Sequence, residues 1–402
     1  MFCIKRGAFG GTFRAPPSKP ISQRYLLAAA LAEGITAIRN VEWSDDFMAM
    51  FRAVQPLAEL SVRGDVVEAR RREADPRRAF NVMESGFTLR TAVAVYAGVP
   101  GLTAVYYGGT LRGRPIGELV EALRKVTWVE RLPGAVLIQG RSLKRLEAEV
   151  RADISSQYVS GLMYLATLAE GGGAVRPVGE RKSWSFVETT AAVLSRFGAR
   201  VRLGDVIEVE GPLRSPGVLE TPGDYSLASF LLVAGVITGG QVEVLGKVGE
   251  LDVEVLHILR DMGAVVNIRE DAVSARGVFT KGVKVDLGHS PDLVIPVALA
   301  AAFVDDLSVI RGVEHLRYKE SDRVDTVLDV LRRLGVEAEY RGGSIHIRGP
   351  PTRSEVTFST HGDHRIGLMA MTAARAVGGC VDDITPVAKS WPTFITHISA
   401  TL

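Results

Sequence analysis

The chain has 402 residues, 47% hydrophobic and 23% charged, with a net charge of +2. The length exceeds what one core organises and predicts two domains, the composition is globular, and the balanced charge excludes the global basic field of a dedicated nucleic-acid binder. Two cysteines, Cys3 and Cys380, exclude a disulfide framework or a cysteine-built zinc site and suggest a reducing compartment. The opening stretch MFCIKRGAFGGTF has no apolar core of signal-peptide length. The longest apolar runs, 227–240 and 293–304, are too short to span a bilayer and read as buried helices. A cytoplasmic protein without membrane segments is expected. Sparse amides (three Asn, five Gln) beside abundant Arg, Val and Glu hint at a thermophile.

In chain order, RAPPSKP (14–20) is a predicted inter-domain crossing. Lys19, Ser22, Gln23 and Arg24 follow it at the start of the helical run YLLAAALAEG (25–34). A helix N-terminus with two cations suits an anion, although a capping Ser with flanking cations is equally ordinary. MESGFTLR (83–90) reads as a turn before a helix, with Gly86 permitting close approach of a ligand to the backbone and Arg90 one turn in. In GRPIGELVEALR (113–124), Arg114 precedes a Pro at the predicted first helical position. DISSQY (153–158) places Ser155, Ser156 and Gln157 at another helix start, where the hydroxyls cap the helix or hold a phosphate. RSPGVLETPGDYS (214–226), with two Pro-Gly pairs, is the predicted linker, free of regular structure. Asp292 stands at the mouth of the apolar helix PDLVIPVALAAA, as a cap or a general base. RYKESDR (317–323), GDHRIGLM (362–369) and AKSWPTF (388–394) complete the set of charged starts.

One pattern recurs. AVLSRFGARVRL (192–203), HILRDMGAVVNI (257–268) and VLRRLGVEAEY (330–340) each end an amphipathic helix, place a Gly, and begin an alternating strand. Gly198, Gly263 and Gly335 are near-evenly spaced, and weaker copies lie at 51–62 and 121–132, so about six similar α/β units are expected. Lys or Arg is also predicted at or beside a helix N-terminus six times: Lys19/Arg24, Arg90, Arg114, Lys319/Arg323, Arg365 and Lys389. The helix dipole disfavours cations there, so the repetition points to substrates with several negative charges.

The motifs SKPISQR, ESGFTLR, RPIGELVEAL, DISSQY, PDLVIPVALAAAF, RYKESDR, GDHRIGLM and AKSWPTF, in this order over nearly the whole chain, resemble the 5-enolpyruvylshikimate-3-phosphate (EPSP) synthase family. The resemblance implies an α/β, two-domain enolpyruvyl transferase fold. Each domain would hold three βαβαββ-like repeats, joined by a two-strand hinge. Residues 1–16 plus 223–402 would form the C-terminal domain and 17–222 the N-terminal one, with the active site in the cleft between them. It implies transfer of the enolpyruvyl group of phosphoenolpyruvate to the 5-hydroxyl of shikimate 3-phosphate, in the shikimate pathway to aromatic amino acids, without metal or organic cofactor. A monomer acting on these two small molecules, with no nucleic-acid or membrane partner, is the expectation.

The same resemblance implies site residues. Asp292 would accept the 5-hydroxyl proton, with Glu320 and Lys19 as candidates for proton transfer at C3. Lys19, Pro20, Arg24, Ser155, Ser156, Gln157, Ser183, Asp292, His315 and Lys319 would meet shikimate 3-phosphate. The three serines would take its phosphate and Arg24 its carboxylate. Lys19, Gly86, Arg90, Arg114, Gln157, Glu320, Arg323, His364, Arg365 and Lys389 would meet phosphoenolpyruvate. Pro20, Glu84, Phe87, Phe186 and His315 depart from the commoner Ser, Asn, Thr, Tyr and Asn; Pro20 removes a hydroxyl and an N–H from the carboxylate end. The sibling transferase acting on UDP-N-acetylglucosamine is the alternative, but the loop YYGGTLRG (106–113) lacks its usual Cys. A nucleic-acid protein on similar repeats is the alternative of a different class, opposed by 7% aromatic content and the low net charge.

Overall fold

The structure is a computed structural model that describes residues 1–249 and 253–399. Strands β1 (Phe2–Ile4) and β2 (Gly11–Arg14) precede α1 (Lys19–Leu31), β3 (Ile35–Arg39), α2 (Asp45–Val54), β4 (Ala58–Arg63) and β5 (Val66–Arg71). Next come β6 (Arg77–Asn81), α3 (Gly86–Ala97), β7 (Gly101–Tyr106), α4 (Gly117–Arg124), β8 (Trp128–Leu132) and β9 (Ala135–Gly140). They are followed by β10 (Leu146–Arg151), α5 (Ser156–Leu168), β11 (Gly173–Val178), α6 (Ser185–Arg196), β12 (Arg200–Arg202) and β13 (Ile207–Glu210). Strand β14 (Val218–Glu220) leads to α7 (Tyr225–Ile237), β15 (Gln241–Leu245), α8 (Val253–Asp261), β16 (Val265–Ile268) and β17 (Ala272–Arg276). The chain continues with β18 (Lys284–Asp286), α9 (Val294–Ala301), β19 (Ser308–Arg311), α10 (Arg323–Arg333), β20 (Glu337–Arg341) and β21 (Ser344–Arg348). It closes with β22 (Val356–Phe358), α11 (His364–Val377), β23 (Gly379–Val381) and α12 (Phe394–Ser399).

These elements form six small sheets, five of four strands and one of three, so the six-unit expectation is met. In four of these sheets a strand, a buried helix and the next, parallel strand form a βαβ unit (β6-α3-β7, β10-α5-β11, β18-α9-β19 and β22-α11-β23), whereas in the other two the parallel partner comes from elsewhere in the chain, β2 beside β15 and β14 beside β3. In β6-β7-β9-β8 the order along the sheet makes this plain: β6 and β7 are parallel, and the hairpin β8–β9 returns beside β7. The helix–Gly–strand punctuation marks where the second helix of a unit turns into that hairpin. Gly198, Gly263 and Gly335 all have positive φ (84°, 110° and 73°), which a side chain would strain.

Two units of chain result: Met1–Ser18 with Pro222–Leu402, and Lys19–Thr221. Each has its own apolar core. In unit 19–221 the helices α1, α3 and α5 are almost wholly buried, and in the other unit so are α7, α9 and α11. Helices that are apolar all round can only be interior ones, which fits the short apolar runs read as buried. No helix among the described residues is long and apolar enough to cross a membrane.

Two expectations are corrected. The segment 214–226 is not without regular structure: β14 lies inside it and pairs parallel with β3, supplying the strand that the first repeat of unit 19–221 otherwise lacks. The two cysteines are joined as a disulfide, Cys3–Cys380. They stand directly opposite each other in the antiparallel pair β1–β23, 377 positions apart in the chain. Cysteine spacing carried no sign of this, because only the register of the closing strand brings the two together.

Candidate functional site

In unit 19–221 the buried helices bring their first turns together. Helix α1 begins at Lys19, six residues ahead of the apolar run predicted to open it, with Pro20 in a first-turn position where no N–H is needed. Lys19 Nζ lies 2.9 Å from Asp46 Oδ2. Asp46 is in the first turn of α2, behind the N-cap Ser44. Gln23 Nε2 donates to Asp46 O at 2.8 Å and lies 3.3 Å from Ser85 Oγ and 3.2 Å from Thr88 Oγ1. One amide thus ties the starts of α1, α2 and α3 together.

Arg90, 2% exposed, donates to Gly86 O (3.1 Å), Gln157 Oε1 (2.9 Å) and Pro115 O (2.7 Å). That links α3 to the first turn of α5. A Cβ on Gly86 would stand 2.7 Å from Arg90 Nη1 and 2.9 Å from Arg114 Nη1, so two guanidinium groups close on the backbone there and a larger residue would have to displace them. Arg114 itself is not at a helix start, contrary to expectation. It follows the 3₁₀ turn Gly109–Gly113 and is extended (φ −86°, ψ 142°), and α4 begins only at Gly117. The residue before a proline is pushed out of the helical region, which delays the helix. Pro115 O is then left to accept from Arg90 and from Tyr158 Oη at 2.6 Å.

Ser155 is the N-cap of α5, its Oγ accepting from Gln157 N–H at 3.3 Å, so the capping reading holds there. Ser156 is the first residue of that helix and is buried. Ser183 is buried with φ +52°, an uncommon conformation for a residue with a Cβ. Arg24, 2% exposed, donates through Nε to Thr190 Oγ1 (2.9 Å), through Nη1 to Pro20 O (2.8 Å) and through Nη2 to Phe186 O (3.1 Å). Burial pushes its guanidinium down to about 10, so it stays charged at neutral pH.

The other unit carries a second cluster. RYKESDR spans the end of a 3₁₀ turn (Glu314–Tyr318) and the start of α10. Asp322 is the N-cap, its Oδ1 accepting from Val324 N–H and Asp325 N–H at 3.1 and 3.2 Å, while Arg317 Nη1 holds its other oxygen at 2.6 Å. Arg323, the first residue of α10, is 2% exposed and touches three carboxylates. Its Nε is 2.8 Å from Asp363 Oδ2, its Nη2 2.9 Å from Glu320 Oε2, and its Nη1 3.2 Å from Asp292 Oδ1. Burial opposes its charge, but Asp363, Glu320 and Asp292 outweigh that and hold the guanidinium above its ordinary range.

Asp292 lies in the 3₁₀ turn Pro291–Leu293 just ahead of α9, and its Oδ1 accepts from Arg323 Nη1. Its second oxygen accepts from Arg365 Nη2 at 2.8 Å. Charge-assisted bonds to two guanidinium groups are stronger than bonds to a neutral N–H, and they hold the carboxylate. Arg365 also donates to Ser226 Oγ at 3.1 Å. Lys389 ends the 3₁₀ turn Thr385–Lys389 rather than preceding a helix, and its Nζ is 3.4 Å from Glu320 Oε1. His364, buried at the start of α11, has Nδ1 3.8 Å from Asp363 Oδ1. His315 is buried in the turn before Lys319, which caps that turn's end. The predicted residues thus gather as Lys19, Arg24, Gly86, Arg90, Arg114 and Gln157 in one unit, and Asp292, Glu320, Arg323, Arg365 and Lys389 in the other.

Sequence reasoning did not select Asp46, Thr190, Ser226 or Asp363. Asp363 was legible as an N-cap, since it accepts from Arg365 N–H at 2.9 Å; its grip on Arg323, 40 residues away, was not. Asp46 showed only as an acid in a first turn.

The chain matches the family model for EPSP synthase (3-phosphoshikimate 1-carboxyvinyltransferase) over residues 5–398. A protein of Korarchaeum cryptofilum named 3-phosphoshikimate 1-carboxyvinyltransferase is 34% identical over 410 residues, covering 98% of this chain and 97% of its own. A protein of the same name from Methanopyrus kandleri is 37% identical over 413 residues, covering 96% and 94%. The solved EPSP synthase of Acinetobacter baumannii superposes with a TM-score of 0.82 at 24% identity, covering 98% of this chain and 97% of that one, and so shares the fold.

Proposed function

The chain belongs to the EPSP synthase family, and we propose that it transfers the enolpyruvyl group of phosphoenolpyruvate to the 5-hydroxyl of shikimate 3-phosphate. The 5-oxygen attacks C2 of phosphoenolpyruvate while C3 gains a proton. The tetrahedral intermediate then loses one proton of its C3 methyl group as the C2–O bond to phosphate breaks, so the balance over both steps replaces the hydroxyl hydrogen by the enolpyruvyl group and leaves one proton with the released phosphate.

The observation that carries the reading is Asp292: a carboxylate at the mouth of an apolar helix that bridges Arg323 and Arg365. In this reading phosphoenolpyruvate, itself an anion, competes for those two guanidinium groups. Their N–H donors turn to the substrate, and Asp292 is released as the base for the 5-hydroxyl. Glu320, held between Arg323 and Lys389, and Lys19, held by Asp46, are the groups assigned to the C3 proton. Ser155, Ser156 and Ser183 take the phosphate of shikimate 3-phosphate. Arg24 takes its carboxylate, and Gln157, His315 and Lys319 its remaining polar edge. Arg90, Arg114, Arg323, Arg365 and Lys389, with His364 beside them, offset the charge of phosphoenolpyruvate. Gly86 lets it approach the start of α3.

The test is release of inorganic phosphate from phosphoenolpyruvate with shikimate 3-phosphate, with UDP-N-acetylglucosamine, and with neither, in excess chelator. Release with shikimate 3-phosphate alone supports the proposal; release with the sugar nucleotide, or with neither acceptor present, overturns it. Asp292→Asn keeps the shape and removes the base, so kcat should fall by roughly 10²–10⁴-fold with both KM values moving little. An unchanged kcat removes Asp292 from the mechanism. The protein is further proposed to work as a cytoplasmic monomer without nucleic acid; light scattering after gel filtration at 43.3 kDa is the expected result.

A further inference from the structure

Arg24 is a buried cation without a carboxylate partner among the described residues. Burial opposes its charge, Tyr164 Oη donates to its backbone O at 3.0 Å, and its side-chain hydrogen bonds go to one hydroxyl and two carbonyls. Two aromatic rings stand near its charged centre. Arg24 Cζ lies 4.3 Å from the centroid of Phe87 and 5.7 Å from that of Phe186. Both distances fall within the range where a ring's negative face attracts a cation, and such contacts strengthen when desolvated. Phe87 comes from the first turn of α3, Phe186 and Thr190 from α6, and Arg24 from α1, so three helices converge on one side chain.

We propose that Phe87 and Phe186 form an aromatic clamp that positions the Arg24 guanidinium, making Phe87 a positioning residue for recognition of the substrate carboxylate. The inference rests on the assignment of Arg24 above. Three of the five planar N–H donors are already committed, and the rings stand against the guanidinium. A carboxylate is then met edge-on by the two donors that remain, the geometry in which a guanidinium binds a carboxylate as a fork. Aliphatic replacement would leave the cation buried but free to tilt, and its in-plane donors would no longer be aimed.

The experiment is steady-state kinetics of Phe87→Leu, Phe87→Tyr and Arg24→Ala, each confirmed folded by its thermal melt. Phe87→Leu should raise KM for shikimate 3-phosphate by about tenfold, the scale of one cation–π contact, with kcat and KM for phosphoenolpyruvate within about twofold. Phe87→Tyr, which keeps the ring, should restore the wild-type KM. Phe87 neighbours Gly86, so a rise in KM for phosphoenolpyruvate, alone or together with the other, would assign the effect to the backbone there and overturn the clamp. An unchanged KM for shikimate 3-phosphate in Phe87→Leu, with Arg24→Ala raising it, also overturns the clamp while leaving the Arg24 assignment standing. If Arg24→Ala leaves that KM unchanged, the assignment itself fails and the clamp with it.

Discussion

The cluster in residues 19–221 and the cluster in residues 222–399 both hold buried cations, but they neutralise them by different means. Arg24 and Arg90 donate to carbonyls, a hydroxyl and an amide oxygen, so the acceptors are neutral groups. Arg323 and Arg365 are set against Asp292, Glu320 and Asp363, and Lys389 against Glu320, so the acceptors are charged. A guanidinium satisfied by dipoles keeps its charge for an incoming anion. One satisfied by carboxylates gives up little net charge, but it orients those carboxylates and can trade them for a substrate. The first arrangement suits binding by the guanidinium itself, and the second suits a carboxylate held ready for proton transfer, as proposed for Asp292 and Glu320; Lys19, paired with Asp46 in the first cluster and also assigned to a proton, belongs with the second kind.

The contrast predicts unequal costs when a cation is removed. Arg323→Ala leaves three carboxylates facing one another in a buried site and should destabilise its unit by about 3–5 kcal/mol. Arg24→Ala leaves three neutral acceptors and should cost about 1–3 kcal/mol. Denaturant melts of the two variants measure the difference; equal losses would show that the two clusters are built alike. The disulfide sharpens the comparison next. Cys3→Ser, or reduction, should lower the stability of the unit containing residues 222–399 by roughly 2–4 kcal/mol. Hydrogen exchange in residues 19–221 should be unmoved, and a matching loss there would mean that the units unfold as one.

The smallest effect is a titration. Burial lowers Arg24 to about 10, below the ordinary guanidinium range. Below about 10 the guanidinium is charged in folded and unfolded chains alike, so KM for shikimate 3-phosphate should be flat from neutral pH upward. It should rise as pH climbs through about 10 and the charge is lost. Between there and the ordinary guanidinium range the unfolded chain holds a proton that the folded chain has given up, so this residue's contribution to stability should increase with pH. Arg323 has the opposite sign: its raised value means its contribution is fully present below the unfolded value and is lost only above it. A KM for shikimate 3-phosphate that stays flat through pH 11 would separate Arg24 from that substrate.

Much of this was legible in order of residues. The helix–Gly–strand stops at Gly198, Gly263 and Gly335 announced the repeats, because a left-handed residue after a helix is a local requirement. The buried helices α7 and α9 were plain from apolar runs. Arg114 was misplaced at a helix start because proline favours the first helical position and also forbids the residue before it from being helical, and the second effect won. The strand β14 was hidden among Pro-Gly pairs because its hydrogen bonds go to β3, about 180 residues earlier in the chain.

The sequence by itself determined where helices stop, which helices are interior, and which side chains could carry charge to an anion. These follow from backbone sterics and from periodicity over a few residues. Tertiary structure alone decided which groups meet: Asp292 with two arginines, Arg24 with two rings, and Cys3 with Cys380. The energy of a charge depends on what stands within a few ångströms of it, and those neighbours lie tens to hundreds of residues apart along the chain.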